Sequence, residues 1–458
     1  MSTDTTASPA EQLRELCAGR VHLPGDPGYD AARLPWNIAV DQRPAAVAVP
    51  HSTDDVAEVV RAAAAAGLRV APQSTGHQAS ALVGIPLDDV VIVRLSELTG
   101  VTVDPDTRIA RVVGGTLWQD VVDAAAPHRL AALHGSSPDV AVAGYTLGGG
   151  MSFYARQHGL AANSVVAVEI VTADGTLVRA DTMTNPDLFW AVRGGGGNFG
   201  VVVAIELRLV PLADVFAGML LWDRERAPEV VRAWAEWTRD LPESVTTSMR
   251  VMSFPPMPEL PPFLSGRQLV VIDGAVLESD ERAAELLAPL RALSPEMDTF
   301  ARMPLEGLTA IHMDPPGPAP AVSGCTVLSE VTEDTIAALL SEVGPGTTTS
   351  LLFAELRHIG GAAGRPAPDG GALSHLAGAY SAFCVAIAPV PEAAAAGLAD
   401  AQKVVAALQP WATGTRILNV SDERCDTSSA FTAEAWERLR RIRGEVDPNG
   451  VFLAAHTV

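Results

Sequence analysis

The sequence predicts an α+β protein built in two parts, and three observations carry that reading. Up to about residue 211, short β-branched runs alternate with short helices in the most glycine-rich stretch of the chain. After Pro211 the composition changes, with a tryptophan-bearing helix and proline-rich loops. A final helix is stopped by Asp447-Pro448-Asn449-Gly450 and is expected to rejoin the first part. At 458 residues the chain is long for one core and comfortable for two. Its 48% hydrophobic and 19% charged content is that of a folded globular protein.

The elements follow in order. Residues 1 to about 20 read as a disordered lead-in ending in a short helix. From Val47 the pattern is regular: apolar VAVP, then Ser52-Thr53-Asp54-Asp55 as a helix start, then a helix over 56–66 that stops at Gly67. Strands are predicted over 68–71, 90–95 and 108–113, and a helix over 117–126. Residues 164–171 are strongly β-branched, and Asp174-Gly175 is a hairpin turn before a strand at 176–180. A short helix with Pro186 at its start spans 185–192, and a strand spans 201–210. Beyond Pro211 come a helix over 224–239, a rigid proline-rich loop over 254–262, a strand over 268–276 and a helix over 280–293. Strands and helices continue to about Leu408, and a linker at 422–431 leads into the last helix, 433–445.

Charge and cysteine content narrow the function. The 54 acidic residues outnumber the 32 basic ones for a net charge of −22, which disfavours nucleic acid and anionic membrane partners. Cys17, Cys325, Cys384 and Cys425 have no metal-ligand spacing, so no metal site is expected and the thiols read as core residues in a reducing compartment. The first twenty residues lack a basic and an apolar targeting region, and no apolar run is long enough to span a bilayer; a cytoplasmic location is expected.

His77 stands out chemically, in Ala71-Pro-Gln-Ser-Thr-Gly-His-Gln-Ala-Ser80. It follows a strand and sits among small residues, where backbone can press against a large flat ligand. Two glycine-rich stretches follow, Gly148 to Gly150 and Gly194 to Gly197. Gly195, Gly197 and Gly200 form a GxGxxG match, but a helix precedes it and a strand follows, the reverse of the dinucleotide-binding order. These glycines suit either a loop whose amides approach a ligand or a tight turn needing positive φ.

The ordered segments TGH, HGSSPDVAVAGYTLGGG, QHGLAANSVVAVEIVTADG, NPDLFWAVRGGGGNFG and a terminal DPNGVF resemble the berberine bridge enzyme-like flavoproteins of the vanillyl-alcohol oxidase/p-cresol methylhydroxylase (PCMH) superfamily. The resemblance covers most of residues 35–210 and the tail. It implies a two-part PCMH-type FAD-binding domain over 35–211, a substrate domain over 212–424 with a mixed or antiparallel sheet backed by helices, and a C-terminal segment, 425–458, returning to the first domain. It also implies FAD bound covalently through His77, at the flavin's 8α methyl. A neutral imidazole is a suitable nucleophile there, and the bond raises the ring's potential. The bland alternative is a loop histidine bonded to backbone. Relatives with a second link use a cysteine where this chain has Ser137, so one link is expected. The other positions the resemblance places near FAD are Ser74, Thr75, Gly76, Gln78, Ser137, Val140, Gly144, Tyr145, Gly149, Gly150, His158, Gly159, Asn163 and Val168.

Catalysis is where the chain departs from the pattern. The family's GxxYxNF or GxxYxNY segment is here Gly414-Thr415-Arg416-Ile417-Leu418-Asn419-Val420, so Ile417 replaces the tyrosine. Isoleucine cannot carry a proton. Glu355, on a strand face with Phe353 and Arg357, has two readings: a base with a raised pKa among apolar neighbours, or an ion pair with Arg357. Tyr154 and Tyr380, two of four tyrosines, are weaker candidates with core packing as their alternative. The function implied is oxidation of a small or mid-sized organic molecule in secondary metabolism, by hydride transfer to flavin N5 with reoxidation by dioxygen. Two alternatives stand: a flavin-containing cyclase, isomerase or lyase with no net redox step, and a non-catalytic flavin- or substrate-binding protein. Nothing in the sequence gives the oligomeric state.

Overall fold

The computed structural model describes residues 8–258, 260–314 and 317–458. Its first sheet has four strands in the spatial order Val21–His22, Ala46–Ala48, Val90–Arg94, Arg69–Gln73. The last three run parallel, as the helix Thr53–Ala65 between two of them requires. That helix starts where the sequence says it should. Ser52 Oγ accepts from Asp55 N at 3.1 Å, and the Asp55 carboxylate accepts from Ser52 N at 3.1 Å.

A second sheet is antiparallel, with order Val101–Asp104, Ile109–Val113, Val201–Arg208, Val165–Val171, Leu177–Asp181. The helices Trp118–Ala125 and Pro186–Gly195 and the C-terminal helix Ala433–Val446 contribute Trp118, Phe189 and Leu439 to the core it shares with Ile170 and Ile205. The tail then pairs with the first sheet. Val70 N donates to Val451 O at 2.7 Å, and Leu453 N donates to Val70 O at 2.9 Å. Asp447 fixes the turn before it by accepting from the amides of Val451 and Phe452, at 2.7 and 2.9 Å.

The third large sheet has eight strands, and its order runs Met297–Asp298, Asp214–Asp223, Gln268–Val276, Val245–Ser253, Phe353–His358, Tyr380–Ile387, Ala321–Leu328, with Ala301–Pro304 beside Asp214–Asp223. The expectation of a mixed or antiparallel sheet narrows to an antiparallel one. Four helices, Ala227–Arg239, Asp280–Arg291, Glu333–Val343 and Pro391–Ala407, cover one face around Trp222, Trp234, Leu287, Ile336 and Val404. Side chains alternate across a strand. So Ala354 and Leu356 enter that helix-covered core, while Phe353, Glu355 and Arg357 face the other way, into a cavity.

One sequence expectation fails early in the chain. Residues 1–7, part of the expected disordered lead-in, lie outside the described residues. From Ser8 the segment is packed: Ala10, Leu13 and Cys17, at helical spacing, are buried against Val56, Val59 and Val60. Among the described residues no helix is long and apolar enough to cross a membrane. The same residues hold no group of three or more His, Cys, Asp or Glu able to bind a metal.

Candidate active site

The uncovered face of the eight-stranded sheet forms one wall of a cavity of about 480 Å³. The opposite wall comes from residues 72–78, 135–151, which include the short helix Val142–Leu147, and 194–198, and from the C-terminal residues 453–456 and Val458. Much of this wall lies at the ends of regular elements or between them, where backbone can turn toward open space without breaking a ladder.

His77 stands in that wall, half-buried. Its ring stacks on Trp36, with centroids 4.2 Å apart and planes 18° from parallel. Nδ1 lies 2.7 Å from Thr75 Oγ1, and Nε2 lies 4.0 Å from Asp139 Oδ1. Asp139 is itself fixed, accepting from Trp36 Nε1 at 2.7 Å, Ser137 Oγ at 2.8 Å and Gly317 N at 3.2 Å. Burial outweighs the nearby Asp139 and Asp314 carboxylates and pushes the imidazole down to about 4. His77 is therefore neutral at physiological pH, as a nucleophile must be.

The glycine loops are tied down from both sides. Asn419 Oδ1 accepts from Gly150 N at 2.9 Å, and its Nδ2 donates to Tyr145 O at 3.0 Å. Asn198 Nδ2 donates to Gly195 O and His456 O, both at 2.8 Å, joining the Gly194–Gly197 loop to the tail. Gly144 and Gly196 line the cavity, and a Cβ built at either meets no atom of the described residues within 4 Å. Their backbones thus face space that a flat group can fill closely. The buried Tyr145 hydroxyl, also at the cavity, has no partner among the described residues. Bare backbone, an unpaired donor and a neutral imidazole fit FAD.

Of the positions expected near FAD, Ser74, Thr75, Gly76, His77, Gln78, Ser137, Val140, Gly144, Tyr145 and Gly150 line the cavity together. Gly149, His158, Gly159, Asn163 and Val168 stand behind it. Val168 is a core residue of its strand, and Asn163 Nδ2 donates to Ser374 O at 2.9 Å. Gly149 faces Leu373 and Asn419, and His158 and Gly159 end the short helix Ala155–His158.

Glu355 lies in the cavity wall, but the expected raised pKa is corrected. Burial does push it up, yet Arg357 and His312 outweigh burial and hold it at about 2. Arg357 donates Nε to Oε1 at 2.8 Å and Nη2 to Oε2 at 3.2 Å, and His312 Nε2 lies 3.2 Å from Oε2. The ion-pair reading thus describes the contact, though Glu355 is only 3% exposed. Behind it, His312 Nδ1 lies 2.8 Å from Asp273 Oδ2, and Arg250 Nη2 donates to the same oxygen at 2.7 Å.

The two tyrosines do not reach the cavity. Tyr380 is on the helix-covered face, its hydroxyl 2.8 Å from Thr238 Oγ1 and its ring stacked on His358. Tyr154 is buried in the core, edge-on to His134, its hydroxyl without a partner among the described residues and pushed up by burial. Ile417 lines the cavity as the departure from the family segment predicts. Trp36, Asp139, His312, Asp314 and Asp422 went unread in the sequence. None stands in a recognisable local pattern, and only tertiary folding brings them here.

Residues 44–181 match the FAD binding domain family. The (R)-6-hydroxynicotine oxidase of Paenarthrobacter nicotinovorans is 36% identical over 205 residues, 44% of this chain and 44% of that one. The glucooligosaccharide oxidase of Sarocladium strictum is 29% identical over 235 residues, 50% of this chain and 47% of that one. The match thus spans less than half the length of these two relatives. The solved structure of Physcomitrella patens BBE-like 1 superposes with a TM-score of 0.82 at 21% identity, covering 96% of both chains. The chain thus carries an FAD binding domain over residues 44–181, has FAD-linked oxidases among its sequence relatives, and shares the overall fold of the BBE-like 1 structure.

Proposed function

We propose that this chain is an FAD-dependent oxidase of small or mid-sized organic molecules, with its flavin bonded to His77 and dioxygen as final electron acceptor. The observation that carries the proposal is the neutral His77 imidazole, clamped between Trp36 and Thr75 in the wall of a cavity of about 480 Å³. Bound FAD supplies a two-electron acceptor.

The chain's own residues do the rest. Residues 35–211 and the tail, 425–458, are assigned to holding the cofactor, and 212–424 to the substrate. Phe353, Phe383, Val385 and Ile387 give the substrate wall an apolar bed. That bed excludes water and suits a mid-sized apolar body, as in tailoring of a secondary metabolite, better than a sugar. Glu355, kept ionised by Arg357 and His312, is a fixed hydrogen-bond acceptor at one end of it. It is too weak a base to take a proton near neutral pH. The relatives' names, a nicotine derivative and an oligosaccharide, support the oxidase class and leave the substrate to the chain's own cavity.

Acid precipitation of the purified protein tests the reading. Yellow pellet with a mass gain matching FAD, lost in His77→Ala, is the expected outcome. Flavin wholly in the supernatant removes the covalent link, and protein without flavin overturns the function. Anaerobic bleaching by a panel of organic substrates, restored by air, then checks oxidase chemistry.

A further inference from the structure

Three side-chain carboxylates of the described residues line the cavity: Asp314, Glu355 and Asp422. Glu355 is held by Arg357 and His312, and Asp314 lies 3.9 Å from His312 Nε2 and accepts from Ser136 Oγ. Asp422 is different. Ser323 Oγ donates to its Oδ2 at 2.6 Å, and among the described residues no cation lies within ion-pair reach of it. Oδ1 is left for whatever enters the cavity.

The groups around it do not supply the missing charge. Arg416 reaches toward Glu423, at 3.6 Å, and lies 3.9 Å from Cys325 Sγ. Cys325 is a buried neutral thiol whose pKa is pushed up by burial. His456, lowered by burial, contacts Leu418 O at 3.2 Å. A carboxylate in a cavity wall with one neutral donor is costly to keep ionised, and a cationic guest relieves that cost.

The sheet register says what the guest's body touches. Ser323 pairs with Val385, and Val385 pairs on its other side with Phe353. In the next row Phe383 lies between Cys325 and Glu355. Phe353 and Phe383 pack edge to face with centroids 6.0 Å apart. A group anchored at Asp422 therefore lies along an apolar, aromatic bed that ends at Glu355. The net charge of −22 also enriches cations around the protein.

We propose that Asp422, fixed by Ser323, is the counter-ion for a protonated amine, so that the substrates are amines on an aryl or alkyl body. This rests on the flavin-oxidase reading and names its substrate class. Burial holds the Asp422 carboxyl up at about 6, against the Ser323 hydrogen bond, so the site switches on as pH rises through that value.

The test titrates the holoprotein with benzylamine, benzyl alcohol and benzoate under anaerobic conditions, reading heat and the flavin spectrum. Benzylamine is expected to bind about tenfold or more tighter than benzyl alcohol at pH 7.5, as a charge-assisted hydrogen bond implies. The advantage falls away below pH 6 and is lost in Asp422→Asn. Ser323→Ala, which keeps the carboxylate, moves the pH midpoint upward. Equal affinity for benzyl alcohol, or benzylamine binding unchanged in Asp422→Asn, overturns the proposal. Because heat reports amine binding without flavin, a colourless protein that still binds benzylamine upholds the amine site while defeating the oxidase reading.

Discussion

His312 Nε2 lies 3.2 Å from Glu355 Oε2, while its Nδ1 lies 2.8 Å from Asp273 Oδ2, so one imidazole joins two buried carboxylates. Arg250 pairs with Asp273 and Arg357 with Glu355, and Asp314, 3.9 Å from His312 Nε2, adds the third carboxylate that balances the three cations. Removing one member leaves charge uncompensated in a buried place, which is worse than never having built the network. Glu355→Gln is therefore expected to cost about 3 kcal/mol of unfolding free energy by urea denaturation at pH 7. A loss below about 1 kcal/mol is what an exposed ion pair would give, and it would contradict the buried network.

The same imidazole sets an alkaline limit. Burial and Arg250 lower its pKa, but Asp314 and Asp273 outweigh them and raise it to about 9. A raised folded-state pKa means stability that is complete below the unfolded value, about 6.5, and is lost as pH rises toward 9. Buried Cys17 and Cys384, pushed up to about 12, add their own loss only above about pH 8.5, where unfolded thiols ionise. The difference in unfolding free energy between the wild type and His312→Gln is expected to shrink as pH rises from 6.5 to 8.5, a comparison in which the other buried histidines and the cysteines cancel. A difference that stays constant with pH would mean His312 is neutral.

How much of this was legible in the sequence depends on the range of the interaction. Ser52 and Asp55, Gly67, and the His77 loop are local patterns, and each formed where it was read. The strands Asp214–Asp223 and Val245–Ser253 escaped notice because nearly every residue is buried, which erases the alternation that marks a half-exposed strand. Glu355 was placed on the correct strand face, but the direction of its shift depends on Arg357 together with His312, and His312 is brought in by the loop before strand Ala321–Leu328. Asp139 and Asp422 sit among ordinary loop residues, and only the fold gives them His77 and Ser323 as neighbours.

Trp36 offers a check on the histidine clamp. Its ring covers His77, and its indole N–H holds Asp139. An aromatic stack of this kind is worth about 1 kcal/mol. Trp36→Leu is expected to slow formation of acid-stable flavin by roughly fivefold, the rate equivalent of that energy. Time courses of apoprotein mixed with FAD and precipitated with acid measure it. An unchanged rate would mean that ring stacking plays no part in presenting His77.

Two glycines of one loop separate folding from cofactor binding. Gly194 has φ +119°, and an added Cβ would lie 2.5 Å from both Cβ and N of Leu373. Strain and collision together put Gly194→Ala at about 3 kcal/mol. Gly196, at φ +57°, faces open cavity, and its Cβ would meet nothing within 4 Å. Gly196→Ala, with φ +57° and ψ −139° but no collision, is therefore expected to cost about 2 kcal/mol from backbone conformation, less than Gly194→Ala, yet to lower FAD occupancy, since its methyl takes cavity space. Melting temperature and the ratio of flavin to protein absorbance, measured on both variants, distinguish the two effects. If Gly196→Ala kept full FAD occupancy, the loop's open face would not be where the cofactor rests.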